Sequence, residues 1–219
     1  MRDIRTILSI EDNEIQLSKR VDEIDPRTES KLQRDITKAL KDTLTANKLT
    51  ALSAPAINEE KRIFVINFRE EIKTFINPII VQAKCMELSM ETCSSIPGKR
   101  FLVPRNNDIM VVYQRPMGKI EQRQLIGRAA FVFQHELQHL DGLLISDIGL
   151  EIDDDFDNAS DEEKDEVIQA YLESLDIRRN EINKEIQTTP ELKQLSDGID
   201  FMTSVYTGKT KIEPIKGDE

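Results

Sequence analysis

A chain of 219 residues that is 38% hydrophobic and 32% charged is long enough for one well-buried core and short for two full domains. No apolar run approaches the roughly 18 residues of a membrane helix. The charged N-terminus, Met1 to Arg5, has no apolar stretch behind it, so neither a membrane anchor nor a secretory signal is expected. Two cysteines cannot build a disulfide framework, which points to the cytoplasm.

The net charge of −11 is unevenly placed. Residues 1–149 carry 22 Lys/Arg against 21 Asp/Glu, whereas residues 150–219 carry 8 against 20. Such a tail would repel a phosphate backbone, so direct nucleic-acid binding is not expected. The shift predicts a working domain over 1–149 and an acidic, mostly helical extension over 150–219.

In chain order, Leu32, Ile36, Leu40 and Leu44 recur every four residues and predict an amphipathic helix over 31–46. A loop interrupted by Pro55 follows, from Leu49 to Asn58. Arg62 to Phe68 reads as a strand, and so does Phe75 to Val81, where Pro78 suggests an edge or a bulge. Arg100 to Pro104 and Ile109 to Gln114 are predicted strands joined by a turn at Asn106-Asn107-Asp108. Gln122 to Leu140 is apolar on nearly all sides and predicts a buried helix closed by Gly142. In the tail, an acidic loop runs from Glu151 to Asp157, and Ser160 with Glu163 fits a capping box. Ile168, Leu172, Leu175, Ile182 and Ile186 form an apolar seam suited to docking or self-association, which Pro190 stops. The expected fold is α+β: short antiparallel or mixed strands around one central helix, with a helical extension.

The only two histidines lie in Gln134-His135-Glu136-Leu137-Gln138-His139. Chance would set two histidines four apart in roughly one such chain in a hundred. That spacing places both imidazoles on one helical face, able to hold one metal ion. Glu136 is the neighbour able to take a proton from an activated water. A third ligand is needed. The turn-like Cys93 is the candidate, Cys85 reads more easily as a small core residue, and the downstream carboxylates sit in the acidic loop. Phe131 and Val132, four and three residues before His135, should line a pocket beside the ion.

Three segments resemble the motifs of peptide deformylases. Glu91-Thr92-Cys93-Ser94-Ser95 is similar to Glu-Gly-Cys-Leu-Ser. His135 to His139, with Leu140-Asp141-Gly142 behind it, is similar to the family's His-Glu-x-x-His helix. Leu52-Ser53-Ala54-Pro55-Ala56 is similar to part of Gly-Leu-Ala-Ala-Pro-Gln. The resemblance covers about residues 1–149 and implies Cys93, His135 and His139 as ligands of one divalent ion, Fe2+ in the family and replaceable by Zn2+ or Ni2+. It implies Glu136 as the general base and the backbone N–H of Ser94 as an oxyanion donor. The implied substrates are N-formylmethionyl peptides or nascent chains, with Ala51, Ala56, Phe131 and Val132 about the substrate. The departures are Ala56 for the motif's glutamine, Ala51 for its first glycine, Thr92 for the glycine before the cysteine, Ser94 for the leucine after it, and Gln138 for an acidic residue. These set a second reading beside the enzyme: a weakly active or inactive module that binds a metal or a peptide. A zinc peptidase is the third.

Overall fold

The computed structural model describes residues 2–69 and 71–188, with backbone alone for 179–188. It divides into two compact units, Met1–Asp154 and Asp155–Glu219.

The first unit is built on a six-stranded sheet. Its strands are β1 (Ala51–Ser53), β2 (Ile63–Phe68), β3 (Glu71–Cys93), β4 (Ile96–Gln114), β5 (Ile120–Ile126) and β6 (Leu150–Ile152). They run in the order β1-β2-β3-β4-β5, with β6 also on β4, and every pairing of these strands is antiparallel. The unit therefore extends to Asp154, past the charge boundary at Gly149. Part of the segment expected to be an acidic loop is β6, and Asp154–Asn158 is a short helix, α5.

The helices within this unit are α1 (Ile10–Leu17), α2 (Ser30–Ala46), α3 (Arg128–Leu140) and α4 (Ile145–Ile148), with a 3-10 turn at Pro55–Ile57. Ile36, Leu40 and Leu44 of α2 bury against Leu52, Ile63 and Val65, as a stripe at helical spacing should. Leu32, at the head of the stripe, stays exposed.

Several local expectations give way to tertiary pairing. Two of the strands are not short: β3 and β4 run 23 and 19 residues as one long hairpin. Asn106-Asn107-Asp108 is no turn: these residues lie inside β4, where Asn107 donates to Glu87 (2.6 Å) and Asp108 accepts from Gln124 (2.8 Å). Cross-strand partners thus override a turn-forming composition. Pro78 falls at a register shift between Ile76 and Ile79, a bulge within a paired strand. Cys85 is exposed with φ +55°, so it is not a core residue. The loop expected over 49–58 contains β1 and the 3-10 turn.

The central helix begins later than its apolar run. Residues 120–126 form β5, in which Leu125 is buried between exposed Gln124 and Ile126, a period of two. Gly127, with φ +63°, turns the chain and donates to Asn107 O (2.8 Å) and Oδ1 (2.7 Å). From there α3 lies on the sheet. Phe133 meets Phe64 and Phe75 edge-on at ring distances of 5.0 and 5.3 Å, which fixes the rotation of the helix about its axis. Gly142 closes it with φ +74°.

In the second unit α6 (Asp161–Thr188) starts at the expected capping box. Ser160 N donates to Glu163 Oε2 (2.8 Å), and Glu163 N donates to Ser160 Oγ (3.3 Å). Ile168, Leu172 and Leu175 are half-buried, while the side chains of Ile182 and Ile186, and Pro190, lie outside the described residues. No helix among the described residues is long and apolar enough to cross a membrane.

Candidate metal centre

β3 ends at Cys93, which turns through Ser94-Ser95 into β4. The turn is held from outside, since Ile10 N donates to Ser95 O at 2.9 Å. Thr92 does not take a positive φ, so a β-branched residue is accommodated there without strain. This corner lies against the face of α3 that carries both histidines. Cys93 Sγ stands 3.3 Å from His139 Nε2, which is 3.2 Å from His135 Nε2, and the three donor atoms lie within 4.8 Å of one another. Tetrahedral ligands with bonds of about 2.0 Å to nitrogen and 2.3 Å to sulfur would be separated by about 3.3–3.5 Å. The donor set therefore fits a single divalent ion.

Electrostatics prepare the same three groups. Burial alone would push the Cys93 thiol up, but hydrogen bonds from His135 and His139 outweigh it and bring the pKa down to about 5. Burial disfavours a charge on His135, yet Cys93, Glu91 and Glu136 hold its proton and raise its pKa to about 10 in the metal-free chain. Glu136 is buried, and desolvation raises its pKa above the ordinary carboxylate range.

A layer of polar groups fixes the ring of His135. Its Nδ1 meets Glu91 Oε2 at 2.9 Å, leaving Nε2 for the centre. Glu91 is gripped in turn by Arg105, with Nε to Oε1 at 2.7 Å and Nη2 to Oε2 at 2.8 Å. Arg105 is 1% exposed and spends its remaining nitrogen, Nη1, on Gln138 Oε1 at 2.6 Å. The sequence shows Glu91 within a motif but gives neither it nor Arg105 this role. The available signal was an arginine directly after the apolar run Phe101 to Pro104.

Ala51, Ala56, Ser94, Phe131 and Val132 all line one cavity of about 860 Å3 with Cys93, His135, Glu136 and His139. These nine residues therefore face the same space. Ala56 is buried in the 3-10 turn and brings a methyl group to that wall.

A thiol, two imidazoles and a buried carboxylate about one cavity place the protein in the class of metal-dependent hydrolases. Comparison with known proteins narrows the class. The family model for polypeptide deformylase matches residues 4–151. A peptide deformylase of Dictyoglomus turgidum is 33% identical over 134 residues, covering 61% of this chain and 84% of the relative. One from Acetivibrio thermocellus is 32% identical over 135 residues, covering 60% and 75%. The crystal structure of the peptide deformylase from Thermotoga maritima superposes with a TM-score of 0.61 at 30% identity, covering 66% of this chain and 97% of that one. The chain belongs to the polypeptide deformylase family and is a deformylase-type hydrolase.

Proposed function

We propose that this protein removes the formyl group from the N-terminal formyl-methionine of peptides and nascent chains in the cytoplasm, releasing formate. The supporting observation is the meeting of Cys93 Sγ with the two Nε2 atoms of His135 and His139, beside buried Glu136 in one cavity. In this reading those three residues hold one divalent ion, ferrous by family resemblance, with Zn2+ and Ni2+ as substitutes. The ion, when bound, acts as a Lewis acid and lowers the pKa of a water at its open position. Glu136 takes a proton from the attacking water and later delivers it to the departing amine. The backbone N–H of Ser94 donates to the oxyanion that forms on the formyl carbon. Phe131, Val132 and Ala51 bound the space for the methionine side chain.

The test is formate release from a formyl-Met tripeptide by protein loaded with Fe(II) or Ni(II) under reductant. Release no faster than that of a Glu136→Ala variant would end the enzyme reading.

One observation favours a second reading, a binding module with weak turnover. Ala56 stands where the motif has glutamine, and its methyl group can donate nothing to an oxyanion. Loss of such a donor costs about 100- to 1000-fold in rate. Replacing Ala56 by Gln should then raise kcat. An unchanged kcat would show that no donor is missing.

A further inference from the structure

One face of α3 runs from a buried end to an open one. His139 is buried, His135, Val132 and Phe131 are half-buried, and Arg128 is exposed, all on the cavity wall at helical spacing. Arg128 precedes His135 by nearly two turns, about 10 Å along the helix axis. Lys48 lines the same cavity from the turn after α2, exposed and with φ +54°. Neither cationic side chain has a hydrogen bond or ion pair among the described residues. The two carboxylates of the lining do not neutralise them, since Glu91 is held by Arg105 and His135, and Glu136 is buried. The first turn of α3 holds no acidic residue and no capping side chain, so Arg128 adds to the positive end of the helix dipole where an acidic residue would offset it. The exposed part of the lining thus carries two unmatched positive charges, and Thr50 and Ser89 add hydroxyl groups to it.

We propose that Lys48 and Arg128 form an anion-binding subsite that selects formylated peptides with acidic side chains at their second and third residues. A peptide whose formyl group lies at the metal centre extends by about 3.3 Å per residue, so its second and third residues come level with Arg128. A carboxylate there meets a guanidinium able to grip it with two parallel N–H donors, and an ammonium that acts as a point charge. The chain carries a net charge of −11, so this preference comes from the local pair and runs against the overall field, which repels acidic peptides. The inference rests on the deformylase reading for where the peptide lies, although the two unmatched charges do not.

The probes are three C-terminally amidated peptides, formyl-Met-Glu-Glu, formyl-Met-Gln-Gln and formyl-Met-Lys-Lys, which carry no terminal carboxylate. Two readouts on the full chain are kcat/KM of the Ni(II)-loaded protein and calorimetric Kd of its Ni(II)-loaded Glu136→Ala variant. The Glu-Glu peptide should be favoured over Gln-Gln by about fivefold in both, with Lys-Lys last. Raising the salt to about 0.5 M should shrink that ratio below about twofold. A Lys48→Glu, Arg128→Glu double variant should put Lys-Lys first, a reversal that lost packing would not produce. Equal values for the Glu-Glu and Gln-Gln peptides, or an unchanged order in the double variant, overturn the proposal. Acidic preference in binding with no formate released from any peptide would uphold the subsite and end the deformylase reading. Formate release without preference would do the reverse.

Discussion

Glu91 Oε2 lies 2.9 Å from His135 Nδ1, so the carboxylate settles which ring nitrogen is free to face the metal centre. Removing that anchor leaves the three ligand atoms in the chain but loosens one ring. Glu91→Gln is therefore expected to weaken metal binding by about 10- to 100-fold. Competition against a chromophoric chelator measures this directly. Unchanged affinity would show that packing alone orients His135.

Arg105 holds the Glu91 carboxyl well below its ordinary value. Burial would raise it, but the Arg105 hydrogen bonds and then those of His135 bring it from 4.5 to about 2. A lowered folded pKa means that the unfolded chain binds the proton first. The contribution is thus complete above pH 4.5 and lost as pH falls from there towards 2. It amounts to about 3 kcal/mol by proton linkage. Denaturant titrations of metal-free wild type and Glu91→Gln should differ most near neutrality and converge in acid. A gap independent of pH would place the stabilisation elsewhere.

Gly142 sits at φ +74° directly after the helix that carries both histidines. A Cβ there would lie 2.4 Å from Ser18 O and 2.8 Å from Lys19 C, both backbone atoms that cannot swing away. Gly142→Ala is expected to cost about 2–4 kcal/mol by urea unfolding and to loosen the end of α3 at His139. A smaller loss would require α1 and its exit to move freely.

Phe131 narrows the cavity one helical turn before His135. Phe131→Ile should enlarge the space and change kcat/KM ratios among formyl-peptides by about tenfold, in favour of larger first side chains. An unaltered order of preference would return Phe131 to plain core packing.

Much of the centre was legible because helical geometry is local. His135, Glu136 and His139 share a turn, and their relation follows from 3.6 residues per turn wherever the helix sits. The closing glycine, the α2 stripe and the Ser160–Glu163 cap were readable on the same grounds. The start of α3 was not, because Leu125 and Ile126 continue the helix's apolar pattern and Gln122 to Ile126 becomes β5 only through its ladder with β4. Asn106 to Asp108 misled in the same way, since their side chains bond across strands instead of turning the chain.

What the order of residues alone determined is the chemistry on offer: two imidazoles on one face, a carboxylate between them, and one thiol at a motif-like corner. Tertiary structure decided how these meet. The β3–β4 hairpin carries Cys93 and Glu91 to α3, and Arg105 reaches Glu91 across the strands at a sequence separation of 14. A buried Arg105 between one carboxylate and one amide is a pairing of distant positions, and no local spacing rule encodes it. Distances between strands depend on register and bulges, which the whole core sets together.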